Sequence, residues 1–220
     1  MTELPVCPEG LTLEYVKDAL TLKGDGLSMS GDYSELASRI KKANLQNEML
    51  VKAARIKSMP VPGRLFDATA GMGEDSLILA AAGFYVTLYE YNPIIYALLK
   101  DTVDRASHLA GLAGVVPRMD CKMGDSISAM KELNGEYDVI LLDPMFPKRE
   151  KSALIKKKFQ LLQQLEMPCM NEDELFDAAI SAKPKRIVVK RPLKGPYLAN
   201  RKPDYSLEGK AIRYDCYNYV

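Results

Sequence analysis

The sequence contains one histidine, His108, and no tryptophan among its 220 residues. Its four cysteines, Cys7, Cys121, Cys169 and Cys216, lie far apart and form no C-x-x-C pair. So few soft ligands argue against a structural zinc site, and we predict reduced thiols and no bound metal. His108 has no serine or cysteine partner in its sequence context, which argues against a Ser-His or Cys-His hydrolase.

A long apolar segment and a strong net charge are also missing. No apolar run approaches the ~18 residues that cross a membrane, and the N-terminus lacks the basic and apolar regions of a secretory signal. We therefore predict a cytoplasmic protein with no membrane partner. The formal net charge is only +1, but basic residues are concentrated locally. The segment from Lys183 to Lys202 contains eight basic residues and no acidic one. The segment from Lys148 to Lys158 contains six basic residues and one acidic one.

The composition, 47% hydrophobic and 27% charged, suits one large α/β domain or one domain with a small appendage. We predict an α+β appendage over residues 1–60. Alternating apolar positions and the turn composition Gly24-Asp25-Gly26 indicate short strands within 11–30, and apolar residues at helical spacing indicate a helix over 32–58. A proline-rich break then separates the appendage from a main domain, residues 61–220.

The main domain alternates between strand-like and helix-like segments. We predict strands at 64–67, 85–90, 115–120, 137–142, 186–190 and 214–220, and helices at 74–82, 92–109, 126–133 and 171–182. Repeated βα units imply a Rossmann-like, mostly parallel sheet with helices on both faces. Ligands of such sheets bind beyond the carboxyl ends of the strands.

A glycine-containing turn, Asp67-x-x-x-Gly71-x-Gly73, follows the first of these strands. Its glycines permit backbone conformations and close approaches that a Cβ would block, and the next helix offers its free amides to an anionic group. A nicotinamide dehydrogenase would share such a turn, but the third glycine of its G-x-G-x-x-G fingerprint is Ser76 here. The position of the glycines instead favours S-adenosylmethionine (SAM).

Acidic residues end the next two βα units. Glu90 ends the second strand, where a carboxylate can accept hydrogen bonds from both hydroxyls of an unmodified ribose. Asp125 and Ser126 follow the third strand, where they can meet an adenine amine. The turn and these acids together predict a SAM-binding site.

The segment Asp143-Pro144-Met145-Phe146-Pro147 follows the most apolar strand. Asp143 and the Pro144 carbonyl can accept hydrogen bonds from the amine of a nucleobase as it becomes positively charged, and Phe146 can stack on the flipped base. We predict these three residues to be catalytic. Similar Asp-Pro motifs serve methylases of protein glutamine, so a protein substrate remains an alternative.

At these motifs the chain resembles the ribosomal RNA small-subunit methyltransferase J family, which are SAM-dependent guanine-N2 methyltransferases of the class I fold. The matching segments are 67–75, 90–93, 142–147, 151–154, 156–157, 188–192 and 198–200. The resemblance implies that Glu74, Asp75, Glu90, Tyr91, Asp125, Ser126 and Asp143 contact the cofactor, in addition to Asp67, Gly71 and Gly73 of the turn. Tyr91 stands where the family usually has arginine, and segment 41–48 lacks the family's glycines.

The expected reaction transfers a methyl group from SAM to the N2 amine of a guanine in small-subunit (16S) ribosomal RNA and leaves S-adenosylhomocysteine. The expected partner is ribosomal RNA or the small ribosomal subunit. Basic residues at strand ends and after the Asp-Pro motif, namely Lys148, Lys151, Lys190 and Arg191, are predicted to bind RNA phosphates. The alternatives are an N-methyltransferase of DNA adenine or protein glutamine, and a non-catalytic RNA-binding module.

Overall fold

The computed structural model describes residues 4–57, 59, 63–144, 157–165 and 171–219. It begins with a three-stranded antiparallel sheet of β1 (Thr12–Val16), β2 (Ala19–Gly24) and β3 (Leu27–Met29). Asp25 and Gly26 join β2 to β3 with φ of 52° and 69°, the pair of positive angles that a type I′ turn requires. The predicted turn at Gly24-Asp25-Gly26 is confirmed.

The prediction of one helix over residues 32–58 is wrong. The segment contains a 3-10 turn (Tyr33–Leu36) and two short helices, α1 (Lys42–Leu45) and α2 (Met49–Ala54). Lys41 and Glu48, which precede α1 and α2, have extended backbones and interrupt the helical hydrogen bonding. The interruptions let the chain change direction while Leu36, Leu45 and Leu50 all remain buried.

A seven-stranded sheet forms the centre of the molecule. Its strands are β4 (Arg64–Asp67), β5 (Tyr85–Glu90), β6 (Met119–Met123), β7 (Val139–Leu142), β8 (Arg186–Pro192), β9 (Tyr205–Glu208) and β10 (Ile212–Asn218). The order is β6-β5-β4-β7-β8-β10-β9, and β10 is antiparallel to both of its neighbours. The strands β4 to β8 are parallel. Strand order therefore reverses between β4 and β7, where ligands of open α/β sheets bind.

Two strand predictions differ from the structure. The predicted strand 115–120 is a 3-10 turn at Val116–Arg118 followed by β6, because Pro117 has no N–H to donate to a ladder. Strand β9 was not predicted. It is a four-residue edge strand that pairs only with β10 and has no buried residue to mark it.

Helices cover both faces of the sheet. They are α3 (Glu74–Ala81), α4 (Pro93–Ala106), α5 (Ser126–Lys131), α6 (Lys157–Leu165) and α7 (Glu172–Ser181). In β7, Val139 and Leu141 belong to the core that includes α3, whereas Ile140 and Leu142 belong to the core that includes α7. This confirms a Rossmann-like sheet buried on both faces. In the described ranges, no helix combines the length and apolar character of a membrane span.

The N-terminal sheet packs on α4. Leu20 and Leu22 of β2 share a buried apolar cluster with Ile94 and Leu98 of α4. The backbone amide of Leu20 also donates to Asp101 Oδ2 at 3.1 Å. The N-terminal part therefore lies against the helix that follows β5, although its treatment as a separate domain ending at residue 60 stays a prediction.

Candidate active site

The loop between β4 and α3, residues 68–73, is called the donor loop here. Its glycines Gly71 and Gly73 have φ of 52° and 71°. A Cβ on Gly73 would lie 2.5 Å from the Tyr33 hydroxyl and 2.7 Å from Leu99 Cδ1. Gly73 is therefore required both by its left-handed backbone and by the lack of space for a side chain.

Asp67 stabilises the donor loop from inside the protein. Its side chain is 2% exposed and accepts hydrogen bonds from Ser76 Oγ at 2.6 Å and from the Thr69 amide at 3.1 Å. Burial raises the pKa of Asp67 to about 7, although these hydrogen bonds oppose the shift. This position does not fit the predicted direct contact with a cofactor, because the carboxylate faces Ser76 rather than open space. Ser76 replaces the third fingerprint glycine, and its role as this partner was not predicted.

Glu90 joins the donor loop to the end of β5. Its Oε2 accepts a hydrogen bond from the Gly71 amide at 2.9 Å, and its Oε1 accepts one from the Asn92 amide at 2.8 Å. Burial raises the pKa of Glu90, and the amide hydrogen bonds oppose the shift. Each carboxylate oxygen has two lone pairs, so both oxygens can still accept a hydroxyl. The next residue, Tyr91, is 74% exposed.

Asp125 lies at the start of α5, just beyond β6. Its side chain accepts hydrogen bonds from the amides of Ile127 at 3.0 Å and Ser128 at 3.1 Å, as an N-cap does. The Ser128 hydroxyl is a further donor, at 2.6 Å. The amide of Gly124 donates to the Glu90 carbonyl at 3.0 Å, which brings the start of α5 next to the end of β5. Glu90, Tyr91, Asp125 and Ser126 are therefore brought together at one edge.

Asp143, directly after β7, lies next to the donor loop. Its amide donates to Thr69 Oγ1 at 2.7 Å, and its carboxylate lies 2.9 Å from the Lys190 ammonium. Lys190 also binds Asp75 of α3 at 2.7 Å. Asp75, Lys190 and Asp143 are called the ion cluster below. It joins α3, β7 and β8 at the point where strand order reverses.

The charges of the ion cluster affect one another strongly. The Asp143 side chain is 38% exposed and is otherwise covered by protein. This burial raises the pKa of Asp143; Lys190 opposes the shift and Asp75 adds to it. Burial lowers the pKa of Lys190, but Asp143 and Asp75 outweigh that effect and raise it, so Lys190 stays charged.

The structure corrects one predicted phosphate contact, that of Arg191. Lys190 is engaged by two carboxylates of the ion cluster, and its contact with RNA stays a prediction. Arg191 is 1% exposed and donates to the Pro196 carbonyl at 2.9 Å, with Glu172 at 3.3 Å. The prediction placed both residues at the ligand-binding edge of the sheet because they end a strand, but adjacent residues of a strand point to opposite faces, and Arg191 points into the protein.

Three predicted residues, Phe146, Lys148 and Lys151, lie outside the described residues, and their roles stay predictions. Pro144 is described and is buried directly after Asp143.

The N-terminal segment reaches the donor loop, which was not predicted. The hydroxyl of Tyr33 donates to the Met72 carbonyl at 2.9 Å, and Tyr33 is 2% exposed. The expectation of one helix over residues 32–58 concealed this contact. The sequence feature that could have indicated it is an aromatic residue, Tyr33, directly after Gly31 and Asp32.

Comparison with known proteins agrees with this arrangement. Residues 8–219 match the family model of SAM-dependent methyltransferases. A relative in Marinobacter nauticus, named Ribosomal RNA small subunit methyltransferase J, is 42% identical over 77% of this chain and 62% of its own length. A relative of the same name in Pseudomonas aeruginosa is 42% identical over 84% of this chain and 72% of its own length.

A crystal structure of a SAM-dependent methyltransferase from Neisseria gonorrhoeae has a TM-score of 0.75 at 29% identity, covering 98% of this chain and 86% of that one. The chain spans just under two thirds of the Marinobacter relative. The family match, the sheet order and the glycine-bearing donor loop agree with one another. The chain belongs to the ribosomal RNA small subunit methyltransferase J family of SAM-dependent methyltransferases.

Proposed function

We propose that this protein transfers a methyl group from SAM to the exocyclic N2 amine of a guanine in small-subunit (16S) ribosomal RNA. The observation that carries the proposal is the position of Asp143. Its backbone is hydrogen-bonded to the donor loop through Thr69, while its carboxylate remains 38% exposed at the strand-order reversal. A group held by Asp143 is thus beside the loop where the methyl donor binds.

On the donor side, the residues present fit SAM. Glu90 retains lone pairs for both ribose hydroxyls, and Asp125 retains acceptor capacity on Oδ1 for an adenine amine. Gly71 and Gly73 let the backbone approach the ligand closely. When bound, SAM supplies a methyl group activated by its positively charged sulfur.

On the acceptor side, Asp143 and the Pro144 carbonyl accept hydrogen bonds from the guanine N2 amine. The nitrogen lone pair is delocalised into the ring, so the amine must rehybridise to attack the methyl group, and the nitrogen acquires positive charge as the N–C bond forms. A carboxylate at that point stabilises charge that develops in the transition state. The methylated nitrogen then gives one proton to the Asp143 carboxylate, which releases it to solvent, so no histidine is needed before transfer.

Lys190 has a positioning role in this proposal. It holds the Asp143 carboxylate at 2.9 Å and ties it to α3 through Asp75 at 2.7 Å. Its charge also favours the ionised form of Asp143, which is a stronger hydrogen-bond acceptor for the amine than the neutral acid. Lys190 therefore fixes both the position and the ionisation state of Asp143, the residue proposed to hold the amine.

Ribosomal RNA as the substrate rests on the names of the relatives and on the basic segments 148–158 and 183–202. Apart from the buried Arg191, these cations would neutralise phosphates around a flipped base. Transfer to DNA adenine or protein glutamine, and RNA binding without catalysis, are the competing outcomes.

The test measures transfer of labelled methyl from SAM to 16S ribosomal RNA, both free and in small subunits, for the wild type and Asp143→Ala. We expect the variant to lose about 100-fold or more in kcat while calorimetry still shows SAM binding. Asp120→Ala, which removes an exposed carboxylate at the start of β6, is the matched control and should keep full activity.

Nuclease digestion and mass spectrometry of the labelled RNA should give N2-methylguanosine. Transfer only to DNA or protein would support those alternatives. Absence of SAM binding by the wild type would support the non-catalytic module, and equal transfer by Asp143→Ala would refute the role of Asp143.

A further inference from the structure

A cavity of about 390 Å³ lies between the N-terminal segment and β10. The residues of its lining that matter here are Arg39, Asn44, Asn47, Glu48, Met49 and Tyr214. It is called the Arg39 cavity below. Its volume is within the range of small-molecule sites, about 300–1,000 Å³. None of its residues belongs to the donor loop or to the ion cluster.

The Arg39 cavity is close to the ion cluster. Because β10 is antiparallel to β8, its first residues lie at the edge where the parallel strands end. Tyr214 is paired with Lys190 in the register of these strands, so the two side chains lie side by side on the same face. Burial raises the pKa of Tyr214, and the nearby carboxylate of Asp75 raises it further. The cavity is thus adjacent to the proposed acceptor site.

The charges in the Arg39 cavity are balanced. Arg39 and Glu48 form a two-point pair, with Arg39 Nε 2.9 Å from Oε1 and Nη2 2.8 Å from Oε2. The Arg39 side chain is 43% exposed and lines this cavity. A pair with no net charge offers little attraction to a phosphate, but it presents a flat, polar face. Nucleobases stack on such guanidinium planes.

The remaining groups are suited to a neutral, polar ligand. The Asn44 amide donates to the Ser38 carbonyl at 2.7 Å, which fixes the orientation of its side chain. Asn47 lies exposed at the rim with both a donor and an acceptor. Met49 and the buried ring of Tyr214 supply apolar surface. Flat polar faces, amides and apolar surface together match a nucleobase better than a phosphate or an aliphatic group.

We propose that the Arg39 cavity binds the base of a nucleotide that flanks the target guanine, so that the N-terminal segment contributes to RNA sequence selection. This inference rests on the proposed function, because a flanking base exists only if the acceptor is a nucleic acid. Stacking on Arg39 and hydrogen bonding to Asn44 and Asn47 would hold the flanking base while the target guanine turns towards Asp143.

The first experiment fills the cavity. Asn47→Trp places a large ring at the rim and leaves the Arg39–Glu48 pair intact. Gln46→Trp, the adjacent exposed amide that does not line the cavity, is the matched control. With 16S ribosomal RNA as substrate, we expect Asn47→Trp to raise KM about tenfold with little change in kcat, and Gln46→Trp to behave as the wild type. The SAM dissociation constant should be the same for all three proteins.

The double variant Arg39→Ala/Glu48→Ala removes the flat pair without leaving an unpaired charge. It should also raise KM for RNA about tenfold while SAM binding is kept. A third measurement avoids variants that impair the fold. Asn47 is replaced by the photoreactive amino acid p-benzoylphenylalanine, and the crosslinked nucleotide in 16S ribosomal RNA is mapped relative to the methylated guanine.

A crosslink within two nucleotides of the methylated guanine supports the proposal. A distant crosslink, or none from a protein that methylates RNA, overturns it, as does an unchanged KM for both cavity variants. These results are distinguishable from failure of the proposed function, in which the wild type itself transfers no methyl group to RNA.

Discussion

In the donor loop, carboxylates accept hydrogen bonds from neutral donors, whereas at the end of β7 a carboxylate pairs with a charged ammonium. Glu90 accepts from the Gly71 amide at 2.9 Å, while Asp143 lies 2.9 Å from Lys190. The first kind of contact fixes the path of the backbone and depends little on salt. The second fixes the position and charge of one side chain and responds to every nearby charge. The fold thus provides shape on the donor side and electrostatics on the proposed acceptor side.

The largest expected effect tests whether the donor side depends on backbone shape. In Gly73→Ala, a positive φ costs about 1–2 kcal/mol for alanine, and the contacts of the new Cβ with Tyr33 and Leu99 add to it. We expect the free energy of unfolding to fall by about 2–4 kcal/mol in total, with weaker SAM binding. Urea denaturation and calorimetry measure both.

Gly111→Ala separates the two costs of that change. Gly111 has φ of 90°, but a Cβ there meets nothing within 4 Å. The control should therefore lose only the backbone contribution of about 1–2 kcal/mol and keep SAM binding. Equal destabilisation by the two variants would show that space beside Tyr33 is not limiting.

The next effect tests the electrostatics of the acceptor side. Lys190→Met leaves Asp75 and Asp143 without their shared cation. Because Lys190 lowers the pKa of Asp143, its loss raises that pKa. We expect kcat to fall about 10–100-fold and the acidic limb of the pH–rate profile to move to higher pH, since less Asp143 is ionised at a given pH.

Lys185→Met is the matched control for this change. Lys185 binds Asp138 at 2.8 Å near the start of β8, at the other end of the strand. It should leave the pH profile unchanged, and Lys190→Arg should restore part of the activity. If the rate of Lys190→Met falls at every pH and the pH–rate profile does not shift along the pH axis, Lys190 has only a structural role.

A smaller effect tests whether the donor side contains an electrostatic contribution of its own. Burial raises the pKa of Asp67 to about 7, compared with about 3.9 in unfolded chains. The folded protein therefore binds this proton more tightly than the unfolded one. Asp67 makes the free energy of unfolding fall as pH rises from about 4 to about 7, by at most about 1.4 kcal/mol per pH unit. Asp67→Asn should lose this dependence when urea denaturation is compared at pH 5 and pH 7.5.

Asp125→Asn is the control for pH dependence. Burial would raise the pKa of Asp125, but hydrogen bonds from Ser128 and from the Ile127 amide outweigh it and lower the pKa. The contribution of Asp125 to stability is therefore lost only at more acidic pH. The difference in unfolding free energy between Asp125→Asn and the wild type should be the same at pH 5 and at pH 7.5. A constant difference between the wild type and Asp67→Asn would mean that Asp67 does not titrate there.

The sequence predicted most of the donor side and less of the acceptor side for physical reasons. Strand ends and glycines are local features, so Gly71, Gly73 and Glu90 could be placed from an apolar run and a turn. Lys190 was placed at the correct strand end, but its ion pairs with Asp75 and Asp143 were not predicted, because they join three elements far apart in the chain. Strand alternation puts Arg191 on the face opposite Lys190, but its burial depends on contacts with Pro196 and Glu172 that the strand pattern does not reveal.

The N-terminal segment was the least predictable region. Its apolar residues recur at helical spacing, but Lys41 and Glu48 adopt extended conformations that no local residue type requires. The segment bends so that Tyr33 contacts the donor loop and Arg39 lines the cavity beside β10. Such a path is determined by the surface against which the segment packs, and that surface is not encoded locally.

The smallest effect tests whether the Tyr33 contact belongs to the donor side. Tyr33→Phe removes the hydrogen bond to the Met72 carbonyl and keeps the buried ring. One such bond contributes about 0.5–1.5 kcal/mol, so we expect a loss of about 1 kcal/mol in unfolding free energy and a rise of a few-fold in the SAM dissociation constant.

Tyr137→Phe removes the bond to Thr87 Oγ1 at 3.0 Å and is the control. It should lower stability by a similar amount without affecting SAM binding. If both variants bind SAM equally well, Tyr33 contributes to stability alone. A selective loss in Tyr33→Phe would instead show that the N-terminal segment helps to fix the shape of the donor loop, which makes it part of both sides of the site.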